Sequence, residues 1–577
     1  MACRALRWLW HDSVMRLVRN LGLTVGLLAT MMSCGGSGSG QETGETPADT
    51  QGTSCVDVPR VELGAPEGWF VCADSGMVAS SDEFSFENWG GPVSTDAFTP
   101  QLLVSIFGQE NVCMPDTTGC VLYPAAQQWM DQMNAAIEGG RCEGMATLSQ
   151  RVLLGRDSAD SLQSGAITTS DLSRDSADVG SSIALWWASQ TFDEVRESTY
   201  PTRDLEPSQI VSEVIDALQS SAGPTIGIYG NGQAHALTPI AVSTDGSGSF
   251  IIHVYDNNYP GRILPLNVSA ADEAWSYDMA AANAGESSEV WGGGVGTLDL
   301  TLMDSREAPT SAPWSDNSST KGSTVISVST KGQSSVGLRI TTGSSVIDTR
   351  DPKTWIDGVR VFPMLGAVVG TGVSVVVPPS VGTATVVPIV GDLLTADPQV
   401  DLLLTADFPG SGSTQFEGEI DPNSDVDLPE FTFEGDEGDY SFEVDGGGDF
   451  HLEYAYGEES ADYQLSGDVT FKVEEDEDSG APSLFDAEGN AIWESEFDGE
   501  DDDGQYGSLD ITYDEETGSL EESETFFESY DVESADETPT SDAPDDTMSD
   551  TSEPVITTEA PSSEDTEAPA TTEETTP

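Results

Sequence analysis

Apolar residues along this chain recur first at helical spacing and then in short β-rich runs. Tyr123-Pro124-Ala125 opens a stretch in which Trp129, Met133 and Ile137 fall at i, i+4 and i+8, one stripe of a helix. Proline suits a helix start, and Gly139-Gly140 ends the run. A second helix begins at Cys142, with Met145, Leu148, Val152 and Leu153 on one side. Residues 183–195 and 210–218 predict two more. Strands follow. Residues 225–229 are short and β-rich, and 235–242 and 250–255 flank Asp245-Gly246-Ser247-Gly248, a hairpin signal. Helices followed by antiparallel strands predict an α+β domain over residues 54–306, where seven tryptophans from Trp69 to Trp291 supply a core.

The pattern changes after a Ser, Thr, Pro and Asn-rich linker at 307–322. Val325-Ile326-Ser327-Val328 and Val336-Gly337-Leu338-Arg339-Ile340 predict strands between Gly and Ser turns, as do 440–444, 450–454, 469–473 and 509–513. Residues 361–390 carry no charge, but Pro378-Pro379 and many Gly and β-branched residues favour strands over a membrane helix. The expectation is a β-rich accessory domain over 323–520. Beyond it, 521–577 is Glu, Asp, Ser, Thr and Pro with almost no aliphatics, too polar to bury a core, and is expected to be disordered.

Charge sharpens this picture. The 577 residues carry a formal net charge of -82, and Lys472 is the only Lys or Arg between 361 and 577. Such a surface repels nucleic acid and anionic membranes and attracts divalent cations or basic partners only loosely. Asp498-Gly499-Glu500-Asp501-Asp502-Asp503-Gly504 invites a calcium reading, but its glycine comes one place too late for an EF-hand loop. Isolated histidines and the Cys spacings make no zinc ligand set, and no cofactor is called for. At the N-terminus, Arg4, Arg7, Arg16 and Arg19 precede the apolar run 21–30, the order of a signal peptide over 1–33. Met31-Met32-Ser33-Cys34 resembles a lipobox with Met where Leu is usual. Cys34 is then the lipidated first residue of an exported, membrane-anchored protein of the bacterial cell envelope, and 34–53 its flexible linker; a plain secretory signal is the alternative.

Export lets disulfides persist, and the sequence neighbours Cys55–Cys72 and Cys113–Cys120 are the expected pairs. Cys142 is left over, an odd thiol in an exported chain. At a helix start, unpaired N–H groups and the dipole favour a thiolate and can hold an oxyanion. Gly140 and Gly144 allow backbone and substrate to approach closely. His235 begins the strand Ala234-His235-Ala236-Leu237-Thr238-Pro239 and is the candidate base. Asp256 ends the next strand in Val254-Tyr255-Asp256-Asn257-Asn258-Tyr259-Pro260-Gly261, where its carboxylate can orient the imidazole; Asn257 is the alternative third member. His253, mid-strand and out of phase with Asp256, suits packing or exposure.

Gly140-Arg141-Cys142-Glu143-Gly144-Met145-Ala146, the His235 strand and the Asp256 turn, in that order, resemble the papain-like cysteine peptidase superfamily. The similarity is nearest to bacterial exported forms related to double-glycine leader peptidases and transglutaminase-like proteins. The resemblance covers roughly residues 55–305. It implies a papain-like domain in which Cys142 is nucleophile, His235 base and Asp256 the orienting acid, acting on a peptide or protein substrate. The papain position for an oxyanion-hole glutamine falls on Ala136, leaving Gln128, Gln132 and Asn134 as nearby candidates. The expected function is a surface-anchored thiol hydrolase or acyltransferase working through a thioester. Two alternatives are a non-catalytic binding or adhesion lipoprotein that retains the fold, which a blocked cleft would favour, and a structural cation-binding lipoprotein dependent on its acidic half.

Overall fold

The computed structural model describes residues 55–530, except for 57–60, 91–96, 116–118, 231–232, 279–289, 315–322, 332–335, 351–357, 367–371, 391–399, 409–411, 421–428, 437–438, 447–448, 468, 476–478, 498–506, 516 and 528. The expected leader, Cys34 lipobox and 34–53 linker, most of the 521–577 segment and the acidic run at 498–504 lie outside the described residues.

The first lobe is α+β. Its principal helices are α1 Pro100–Phe107, α2 Pro124–Ile137, α3 Cys142–Leu153, α4 Ala177–Ala188, α5 Asp193–Thr199 and α6 Pro207–Ser220. Thr99 caps α1 by accepting the Leu102 N–H at 3.3 Å, satisfying one of the donors a helix start leaves open. The helix expected over 183–195 is instead broken by a 3-10 turn at Ser189–Thr191. There the Ser189 and Thr191 hydroxyls donate to the Trp186 and Ala188 carbonyls, and such side-chain bonds compete with the regular ladder.

One strand precedes these helices, β1 Phe70–Asp74, and seven follow: β2 Thr225–Gly230, β3 Gln233–Thr244, β4 Ser249–Tyr255, β5 Ile263–Ser269, β6 Ala274–Asp278, β7 Val290–Gly293 and β8 Leu298–Thr301. They form one antiparallel sheet in the order β7-β6-β5-β4-β3-β2-β8, with β1 also on β3. The β3–β4 register pairs Thr238 with Tyr255, so His235 near the start of β3 and Asp256 just past β4 emerge at one end of neighbouring strands. Helices α3 and α6 both pack on β3. Ile210 and Val214 of α6 share a core with Ile226, Leu237, Ile252 and Val254 of the sheet.

The second lobe is a β-sandwich whose described strands form a nine-stranded and an eight-stranded sheet, almost entirely antiparallel. One sheet contributes Ile326, Val375 and Leu404 to the shared core and the other Leu338, Val386 and Phe431. The uncharged stretch forms strands Arg360–Pro363, Val373–Val377 and Ala384–Val390. No helix among the described residues is long and apolar enough to cross a membrane.

The lobes are not beads on a linker. Helix α2 lies on the nine-stranded sheet, with Gln132 Nε2 donating to Ser329 Oγ at 2.9 Å. Within the expected linker, Ala312 is buried and Trp314 Nε1 donates to the Asn111 carbonyl. The boundary expected at 521 falls inside a strand, Ser519–Phe526, and the following Ser529–Tyr530 pairs with Cys120–Val121 of the first lobe. Cys55–Cys72 and Cys113–Cys120 are disulfide-bonded, and Cys142 is the free thiol among the described residues.

Candidate active site

Cys142 is the first residue of α3 and is fully buried. Gly140, at φ +122°, takes the turn between α2 and α3 in a backbone region that favours glycine. Gly144 has a different role from the one its position suggests. A Cβ there would sit 2.0 Å from the Ile183 carbonyl oxygen, so the glycine lets α3 and α4 touch backbone to backbone rather than admitting substrate.

Cys142, His235 and Asp256 come together at one end of the β3–β4 pair. His235 Nε2 lies 2.7 Å from Asp256 Oδ1, and both side chains are wholly buried. Asp256 also accepts the Tyr277 hydroxyl at 2.5 Å and the Asn258 N–H at 2.9 Å. Burial alone would raise this carboxyl; the facing imidazole and these donors outweigh it and hold Asp256 below the ordinary carboxylate range. An ionised carboxylate only accepts, so Nε2 carries the donated proton, and in the neutral ring Nδ1 carries the lone pair. His235 Nδ1 is buried and makes no hydrogen bond. The Cys142 sulfur accepts the N–H of the next residue, Ala236, at 3.4 Å. The sulfur thus abuts the β3 backbone one residue past His235, and no hydrogen bond joins it to the imidazole.

Asn257 does not reach the imidazole. Its Nδ2 donates to the Cys142 carbonyl at 2.9 Å and more weakly to the Ala236 carbonyl at 3.5 Å, clipping the start of α3 to β3. His253 is buried and bonded through Nε2 to Ser243 Oγ at 2.8 Å, a packing role. The thiol does not match the thiolate expectation. Burial pushes it well above the ordinary cysteine value, and the Ala236 N–H opposes this only in part. With the site closed, desolvation outweighs the helix start. Among the described residues no cluster of three His, Cys, Asp or Glu is arranged to hold a metal.

None of the three α2 candidates supplies an oxyanion donor. Gln132 faces Ser329 of the second lobe, Asn134 exchanges two hydrogen bonds with the Phe98 backbone, and Gln128 faces the Glu453 carboxyl of the second lobe. The residue that sequence reasoning missed is Asn88. Its Oδ1 accepts the Arg141 N–H at 2.8 Å, its Nδ2 donates to Asn258 Oδ1 at 3.1 Å, and its backbone N–H donates to the Asn257 carbonyl. It therefore ties the nucleophile turn to the Asp256 loop. Arg141 stacks on Trp89, with Cζ 4.6 Å from the ring centroid. The only hint in the sequence is an Asn beside Trp89 and Gly90 in an irregular stretch.

Glu83 lies under the same loop, its Oε2 accepting the Gly261 N–H at 2.7 Å. Burial, with smaller contributions from Asp82 and Asp256, pushes its carboxyl up to about 7, against the opposing Gly261 and Arg262 N–H groups. A raised carboxyl favours the folded state below its unfolded value and loses that advantage as pH climbs towards about 7. Wild type should therefore lose on the order of 3 kcal/mol relative to Glu83→Gln between pH 4 and pH 8. Urea midpoints of both proteins at several pH values check this; parallel curves would contradict it.

Comparisons with family models, with curated proteins and with solved structures returned no match.

Proposed function

We propose that this chain is a papain-like thiol hydrolase or acyltransferase, held at the cell envelope by lipid on Cys34 and acting on peptide or protein amide bonds. The observation that carries the reading is the His235–Asp256 pair: Asp256 holds Nε2, Nδ1 has no partner, and the Cys142 sulfur accepts the N–H of Ala236, the next residue along the strand. Nδ1 takes the thiol proton as sulfur attacks the amide carbonyl carbon. The C–N bond breaks, the same proton passes to the leaving amine, and a thioester remains on Cys142. Water, or an acceptor amine in a transferase, then attacks the thioester with His235 again as base and releases the thiol. The orienting bond from Asp256 stabilises the imidazolium formed in each half.

The test is covalent. A peptidyl epoxide should add one inhibitor mass to Cys142 of the native protein and none to Cys142→Ala, and a slow ester substrate should leave an acyl group on the same peptide. Absence of both adducts from a folded protein whose thiol has been made accessible would sink the reading. One observation favours the second reading, a non-catalytic binding or adhesion protein: the sulfur has no exposure at all. That reading expects thiol labelling with no turnover of any peptide.

A further inference from the structure

The second lobe contributes one side chain to the cluster that buries Cys142. Cys142 packs in a small apolar cluster with Ala146, Tyr229, Ala234, Ala236 and Leu365, and Leu365 is its one member from beyond the first lobe. Leu365 belongs to an extended segment that leaves the edge strand Arg360–Pro363 and runs to Gly366. Four side chains of the first lobe hold this segment by its main chain. Arg203 donates to the Val361 carbonyl at 2.6 Å, Trp187 Nε1 to the Leu365 carbonyl at 2.9 Å and Asn88 Nδ2 to the Gly366 carbonyl at 3.0 Å. Gln190 Oε1 accepts the Leu365 N–H at 2.6 Å. A narrow pocket runs beneath the segment, lined by Arg203, Tyr229 and Asp299 on one side and Phe362 and Pro363 on the other.

This is how a protein holds a peptide ligand. Bonds to main-chain carbonyls and N–H groups fix an extended strand whatever its sequence, and side-chain pockets supply preference. Here donors reach the carbonyls of Val361, Leu365 and Gly366, and one of them, Asn88, also joins the nucleophile turn to the Asp256 loop. We propose that residues 359–366 are a resident substrate mimic: the cleft takes extended polypeptide with an aliphatic side chain beside Cys142, and the chain's own segment fills it and keeps the thiol latent. The choice of substrate rests on Cys142 being the nucleophile; the occupancy does not. Because the occupant is tethered, its effective concentration is high, and an incoming peptide binds only in the fraction of molecules whose segment has swung out.

The test reads that fraction as the rate at which iodoacetamide modifies Cys142 in the full chain, followed by peptide mass. Leu365→Gly should raise the rate at least tenfold over wild type. Gln190→Ala, which changes no residue of the segment, should raise it severalfold and decides the matter if the first variant does not fold. A capped peptide with the sequence of residues 362–366, at millimolar concentration, should slow modification of the opened variants again. Wild-type rates in folded Gln190→Ala and Leu365→Gly, or no protection by the peptide, would overturn the proposal. Fast modification with no turnover of any peptide would instead remove the catalytic reading and leave only the occupied cleft standing.

Discussion

His235→Ala should lower turnover by about a thousandfold, and Asp256→Asn by a comparable factor, with KM little changed in either. General base catalysis by a positioned imidazole is worth roughly 10²–10⁴ in rate, and this imidazole is held through one nitrogen only. In the structure Nε2 is fixed by Asp256 at 2.7 Å and Nδ1 is unpaired. Removing the ring leaves a buried thiol already pushed well above its ordinary value with no group to take its proton. Asparagine at 256 keeps the shape and an acceptor, but it cannot stabilise an imidazolium, and its amide can present N–H to the ring and force the proton onto Nδ1. That tautomer cannot accept from sulfur. The loss should therefore fall in kcat, measured on an amide substrate in the Leu365→Gly background where the cleft is open. A loss confined to KM, or Asp256→Asn at wild-type rate, would show that the His–Asp pair is only structural.

Gly144→Ala should cost about 3 kcal/mol or more and leave little soluble protein, the opposite sign to an ordinary helical Gly→Ala change. The added Cβ would meet the Ile183 carbonyl oxygen at 2.0 Å and the Trp187 backbone nitrogen at 3.0 Å, atoms of α4 that cannot turn aside as a side chain does. Relief requires α3 to lift from α4, which also displaces Cys142 at the head of α3 and Trp187, the residue that holds Leu365. Gly180 on α4 is the control. A Cβ there meets nothing within 4 Å, so Gly180→Ala should be neutral or stabilising by up to about 1 kcal/mol. Thermal unfolding of the two variants side by side checks both signs, and equal midpoints would refute the backbone contact.

The first of these changes acts on features that local sequence made visible, whereas the Gly144 contact with α4 did not show there. A cysteine directly after a Gly-Gly helix stop, a histidine opening an apolar strand and an aspartate closing the next are each one-dimensional signals, and the β3–β4 register turns the last two into neighbours. The α+β order, the hairpin and the β-rich second half follow the same way from periodicity. What stayed hidden depends on contacts between distant segments. Asn88 lies in an irregular stretch with no period to mark it. Leu365 looks like one more aliphatic in an uncharged run, and only the docking of the lobes brings it to Cys142. The oxyanion search failed for the same reason: spacing along α2 pointed to Gln128, Gln132 and Asn134, but that helix turns Gln132 to the sandwich. The break at Ser189–Thr191 stayed hidden because apolar residues resume just beyond it at Phe192 and Val195, while the hydroxyls within it redirect the backbone.

The seam between the lobes carries a trade-off. Trp187, Gln190, Arg203 and Asn88 are at once fasteners of the sandwich and walls of the groove. Firmness of assembly and openness to visitors thus draw on one shared set of bonds, so a tighter joint is also a more silent sulfur.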